Sequence, residues 1–179
     1  MTVFIALLRA VNVGGTGKLP MTELRAMCEA AGFTNVRTYI ASGNVVFGSR
    51  AGEQSVKEKL EGALEKYAGK PVRVHIRTAN EMAEVLAANP FPEAASRSTV
   101  VIFLDSRPPP AALDDVKNRK EERIAFGARE IYVEYGPGMG QSKLKIPAAV
   151  NGTGRNMNTV AKLAAMAKSD VIPRPSPRP

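Results

Sequence analysis

Tryptophan is absent from the 179 residues, and cysteine and histidine occur once each, as Cys28 and His75. A lone cysteine excludes an internal disulfide, and with a single histidine no His/Cys metal set can be assembled. Neither a metal nor a cofactor is expected. Long apolar runs are missing as well. Nothing approaches the ~20 residues that a membrane helix requires, so no membrane partner is expected. The opening VFIALL is too short for a secretory signal, and its charge, Arg9, follows the apolar run instead of preceding it. The cytoplasm is the expected compartment. No Ser-His-Asp set and no paired carboxylates stand out, and nothing in the residues names a reaction or an oligomeric state.

What is present is a basic excess, with 25 Lys and Arg against 17 Asp and Glu and a formal net charge of +8. Residues 137–179 carry Lys143, Lys145, Arg155, Lys162, Lys168, Arg174 and Arg178 against Asp170 alone. Such a balance favours anionic partners: phosphates, acidic metabolites or nucleic acid.

The chain is organised around residues 2–47. Val3 to Leu8 is apolar at every position, which predicts a strand buried on both faces. Pro20 and Glu23 suit a first helical turn, Leu24, Met27, Cys28 and Ala31 give the helix an inner face, and Gly32 ends it. Cys28 reads as a small buried hydrophobe. Strands are predicted over Val36–Ala41 and Val45–Phe47, joined at Ser42-Gly43-Asn44. A second helix spans roughly 53–68, with Val56, Leu60, Leu64 and Tyr67 as its apolar stripe. In VRVHIR, Val72, Val74 and Ile76 face a core while Arg73, His75 and Arg77 share the other face. That face is either a basic stripe for nucleic acid or one paired with acids from a neighbouring lobe. Thr78 and Glu81 form a capping box that opens a helix ending before Asn89-Pro90.

The expected class is therefore α+β, with two ferredoxin-like β-α-β-β-α-β lobes packed together, the second degenerate. The first lobe with a connecting helix covers 1–89 and the second 90–170. In the second, Val100 to Leu104 is again all apolar, ERIAF and EIYVEY form a hairpin, and a helix runs from about 157 to 168. The remainder, 171–179, is proline- and arginine-rich and is expected to be mobile.

Three loops carry the candidate chemistry. GGTGKL at 14–19 fails the Walker pattern, lacking its first glycine and its Ser or Thr; it reads first as a glycine loop shaping a strand-to-helix crossover, and alternatively as one where Lys18 beside Gly14 and Gly15 steers an anion. GPGMGQSK at 136–143 misses the dinucleotide fingerprint at Gln141, and either is a plain loop or delivers Ser142 and Lys143 to a ligand. NGTGRNMNT at 151–159 precedes a helix, with Thr153 or Asn156 as the cap. Two readings stand there. Either Arg155, Asn156, Asn158 and Thr159 hold a phosphate or carboxylate at the helix start, or the polar residues cap the helix and Arg155 bonds to protein. With Arg9, Asn12, Ser42 and Asn44 at the strand ends of the first lobe, these residues compose one expected ligand site. On that expectation Arg9 and Arg155 are replaceable by Ala with loss of binding and no loss of fold.

The stretch LLRAVNVGGTGKLPMTELRAMCEAAGFTNVRTYIASGNVVF resembles the opening of the domain of unknown function 1697 family. QSKL and TGRNMNTVAKL resemble that family's later signatures, and the resemblance runs from residue 1 to about 168. It implies two ferredoxin-like lobes in a bacterial protein and carries no assigned activity. This chain has Ala10 and Ala41 where the family more often has Gly and Gln, and Gly154 and Met157 where Thr and Trp are usual. The leading functional expectation is a small anionic ligand, phosphorylated or carboxylated, bound in a basic cleft lined by glycine loops. Nucleic-acid binding through the basic C-terminal half is the alternative, and an interaction protein without a ligand the third.

Overall fold

The computed structural model describes residues 1–15 and 17–171. Among these the chain is α+β, with two four-stranded antiparallel sheets and helices packed on and between them. The first half runs β1 (Thr2–Leu8), α1 (Met21–Ala30), β2 (Thr34–Tyr39), β3 (Asn44–Ser49), α2 (Glu53–Ala68), β4 (Val74–Thr78) and α3 (Ala79–Ala87). Its strands lie in the order β2-β3-β1-β4. The second half runs β5 (Thr99–Phe103), β6 (Arg123–Phe126), β7 (Glu130–Glu134), β8 (Thr153–Asn156) and α4 (Met157–Val171), in the order β6-β7-β5-β8. Short 3-10 turns at Pro110–Leu113, Gly136–Gln141 and Pro147–Ala149 stand between its strands. Residues 172–179, most of the tail expected to be mobile, lie outside the described residues.

The all-apolar β1 is explained by what covers it. Phe4, Ala6 and Leu8 point to one core with Leu24 and Cys28 of α1 and Val56, Leu60 and Leu64 of α2. Val3, Ile5 and Leu7 point the opposite way, into a core shared with Met82 of α3, Val160 and Leu163 of α4, and Val101, Phe103 and Tyr132 of the second sheet. A strand central in its sheet and covered on both faces loses nothing by having no polar residue. The far face of the second sheet is closed by Leu144 and Ile146 from its irregular connections, packed on Ile131 and Val133. Among the described residues no helix is long and apolar enough to cross a membrane.

Local signals account for the element ends. The capping box is formed: Thr78 Oγ1 accepts from the Glu81 amide at 3.2 Å, and Glu81 returns a carboxylate to the Thr78 amide at 2.8 Å. Gly69 ends α2 in the left-handed conformation. Three sequence expectations need correction. The strand drawn to Ala41 stops at Tyr39, because the Asn44 side chain donates to the Tyr39 carbonyl at 2.8 Å and draws residues 40–43 into a turn. Residues 153–156, read as part of a polar loop, form β8 at the edge of the second sheet, Arg155 pairing with Val101. Tyr67, expected to continue the buried stripe of α2, is 47% exposed although Leu64 is fully covered, since it stands at the helix end, where residues 65–70 are all exposed.

Candidate functional site

Antiparallel pairing of β1 with β4 sets Leu8 opposite Val74, and one residue beyond the ladder Arg9 meets Arg73, whose carbonyl accepts from the Arg9 amide at 2.9 Å. Two arginines at neighbouring strand ends repel unless something neutralises them. The last turn of α2 with Lys70 and Pro71 closes one side of this corner, and Ala10, Val11 and residues 17–19 close the other. Between them lies a cleft of about 490 Å³. Among the described residues its wall carries Arg9, Lys18, Lys70 and Arg73 and no carboxylate. Lys18, Lys70 and Arg73 are exposed and make no ion pair or hydrogen bond through their side chains among the described residues. The floor is apolar, made by Val11, Leu19, Leu64 and Val72, with Tyr67 at the rim.

The glycine loop is held in place by one side chain. Asn12 Oδ1 accepts from the Leu19 amide at 2.7 Å, while its Nδ2 donates to the Leu19 carbonyl at 2.9 Å and the Ala41 carbonyl at 2.7 Å. Asn12 is thereby tied to Leu19 and Ala41, with Gly14 and Gly15 exposed and Lys18 facing the cleft and also a second hollow of about 630 Å³. The backbone here is strained. Ala10 and Asn12 have φ of 54°, and Ile40, a β-branched and exposed residue, has φ of 50°. Left-handed non-glycine residues cost on the order of 1–3 kcal/mol each and concentrate where a site dictates the geometry.

The other predicted site residues divide into three groups. Arg9 joins the halves: its Nη2 donates to the Val150 carbonyl at 2.9 Å and its Nε to the Gly152 carbonyl at 3.2 Å, which leaves Nη1 for the cleft. Ser42, Asn44 and Arg155 also come together, with Asn44 and Arg155 buried and Ser42 half-buried. Arg155 Nε donates to Asn44 Oδ1 at 2.6 Å, its Nη1 to Thr153 Oγ1 and the Gly154 carbonyl, and its Nη2 to the carbonyls of Leu8, Ser42 and Gly43. Its donors are spent on protein, as in the second of the two readings of NGTGRNMNT. Burial, with no counter-charge among those partners, pushes its guanidinium down to about 10, still charged at neutral pH. Asn156 caps α4 by accepting from the Thr159 amide at 3.0 Å, Thr159 is buried, and Asn158 is exposed. Ser142 and Lys143 belong to the second half's own loops. The Ser142 hydroxyl donates to Glu122 and the Lys143 carbonyl accepts from Asn118 at 3.2 Å.

Arg77 and His75 resolve the question of the basic face: both are buried and paired across the halves. Arg77 Nε donates to Glu130 Oε1 at 2.8 Å, and His75 Nδ1 lies 3.1 Å from Asp105 Oδ1, which also takes Lys57 at 2.7 Å. Burial pushes the His75 imidazole below its ordinary pKa, with Asp105 and the Asn151 carbonyl opposing. Asp105 lies below its ordinary range, because Lys57 and His75 outweigh its burial. Burial pushes the Cys28 thiol up to about 12, which leaves it without nucleophilic character.

Lys70 and Tyr67 were not singled out from the sequence as site residues. The usable signal was topological: in a β-α-β-β-α-β order the last strand starts beside the end of the first, so residues just before Val74 must neighbour Arg9.

Known proteins bear on the fold. The conserved bacterial protein SP0830 from Streptococcus pneumoniae has a similar structure, with a TM-score of 0.77 at 24% identity over 93% of this chain and 98% of that one. At that identity the likeness speaks to architecture alone. No curated protein matches the chain. The family described as Protein of unknown function (DUF1697) matches residues 1–132, which hold the first sheet, the cleft and the start of the second half. The chain belongs to that family.

Proposed function

We propose that this protein binds a small phosphorylated or carboxylated ligand in the cleft at the end of β1. The observation that carries the reading is the charge balance of its wall: Arg9, Lys18, Lys70 and Arg73 with no acid among the described lining residues. Cations gathered without a counter-charge destabilise the free protein and are neutralised when an anion enters. The volume of about 490 Å³ suits a small molecule. The strained left-handed Ala10, which lines the cleft, supports the same place.

Each half is further proposed to be a ferredoxin-like lobe, 1–89 and 90–170, the second having 3-10 turns where helices would stand. The shared strand order, β2-β3-β1-β4 and β6-β7-β5-β8, supports this. The single unpaired cysteine suits a reducing cytoplasm.

The test is a thermal-shift titration with inorganic phosphate, pyrophosphate and citrate. A saturable rise in melting temperature is expected for at least one of them, and it should vanish in the Lys70→Ala/Arg73→Ala double variant, whose own melting temperature stays near that of the parent. These side chains are exposed and unpaired, so their loss costs the fold little. Absence of any saturable shift removes the reading. Duplex and single-stranded nucleic acid serve as the contrast, since binding through many Lys and Arg contacts weakens steeply with salt.

A further inference from the structure

The cleft has two chemically distinct halves, and they restrict what the ligand can be. On one side stand the cations. On the other, the apolar stripe of α2 runs Val56, Leu60, Leu64 and then Tyr67, and the first three are covered completely while Tyr67 is left 47% exposed at the rim. A half-exposed ring that continues a buried stripe and lines the cleft offers a stacking surface about one helical turn from the apolar floor. Leu19, Leu64 and Val72 extend that floor beneath the cations. A bare oxyanion would use only half of this surface. Resting on the anion-binding reading above, we infer that the ligand is a phosphate ester carrying a planar ring, of the nucleoside monophosphate class. The ring lies against Tyr67 and the phosphoryl group among Arg9, Lys18, Lys70 and Arg73.

Phosphate fits the charge better than a carboxylate does. A phosphate monoester carries nearly two negative charges and three acceptor oxygens. It can therefore take the free Nη1 of Arg9 together with two of the mobile cations, where a carboxylate has one charge to share among four.

The experiment compares adenosine 5′-monophosphate, ribose 5-phosphate, adenosine and inorganic phosphate by calorimetric titration against the wild-type chain and against Tyr67→Ala and Tyr67→Phe. Tyr67 is exposed and makes no hydrogen bond through its hydroxyl among the described residues, so both variants should fold. The expected result is that the nucleotide binds about tenfold more tightly than ribose 5-phosphate, the size of one base–aromatic stack. Tyr67→Ala should erase that gap and Tyr67→Phe should keep it. Equal affinity for the nucleotide and ribose 5-phosphate, or a gap that survives Tyr67→Ala, overturns the ring inference and leaves the anion site standing. If none of the phosphorylated probes binds, the anion-binding reading falls and this inference with it.

Discussion

Among the described residues Arg155 carries the most side-chain hydrogen bonds, and its partners come from both halves. From the sequence it divided between a ligand anchor and a structural bond, because a basic residue in a glycine-rich loop is equally at home in either role. Position on β8 decides the matter: the strand turns the side chain under β1, where the carbonyls of Leu8, Ser42 and Gly43 converge on it. Replacing it strips the buried Asn44 Oδ1 of its donor, takes one donor each from the carbonyls of Leu8, Ser42 and Gly43, and empties the space its side chain fills. Arg155→Ala is therefore expected to lose on the order of ~3 kcal/mol or more, read as a fall in the urea midpoint at unchanged slope. A variant as stable as the parent would return Arg155 to the ligand-binding candidates.

The element that carries the site is the connection from β1 to α1. Its Asn12 clasp and its glycines were visible in the sequence as a loop rich in polar and small residues. Its conformation was not, since nothing in the order of residues says that Ala10 takes φ of 54°. Alanine there bears a steric penalty that glycine escapes. Ala10→Gly is expected to raise stability by about 1 kcal/mol, the relief of strain exceeding the added freedom of the unfolded chain. Differential scanning calorimetry reads this as a higher melting temperature. An unchanged or lower value would mean that the loop relaxes around alanine without strain. The neighbouring turn shows the opposite economy. Gly43 has φ of 85°, and a Cβ there would lie 2.5 Å from Val11 Cγ2 and 2.9 Å from Leu8 Cβ, so only glycine fits.

At the scale of the whole molecule the halves are joined by more than charge. The core between the sheets draws Val3, Ile5, Leu7 and Val46 from the first and Val101, Phe103 and Tyr132 from the second, with α3 and α4 completing it. Arg77 with Glu130, and Arg129 with Glu53 and Glu81, close its edge. Burial of apolar area is worth about 25 cal/mol per Å², so uncovering one face of a sheet is costly. A fragment of residues 1–89 should therefore bind a hydrophobic dye and self-associate, and the full chain should unfold in one transition seen alike by near- and far-ultraviolet dichroism. A monomeric, dye-free fragment would show instead that the first half folds by itself.

What the sequence determined by itself was local: the runs of β1 and of the first three helices, the apolar face of α1, that β1 must be covered twice, and that Thr78 and Glu81 start a helix. These depend on neighbours within four residues, and periodicity reports them faithfully. The tertiary structure decided what depends on distant residues. It turned Arg77 and His75 from a basic stripe into buried partners of Glu130 and Asp105, and it took Arg155 inside. It left Tyr67 half-exposed and brought Lys70 and Arg73 beside Arg9 and Lys18. A charge reads the same in sequence whether it faces solvent, a carboxylate or an empty cleft, and only the packing of the two sheets distinguishes the three.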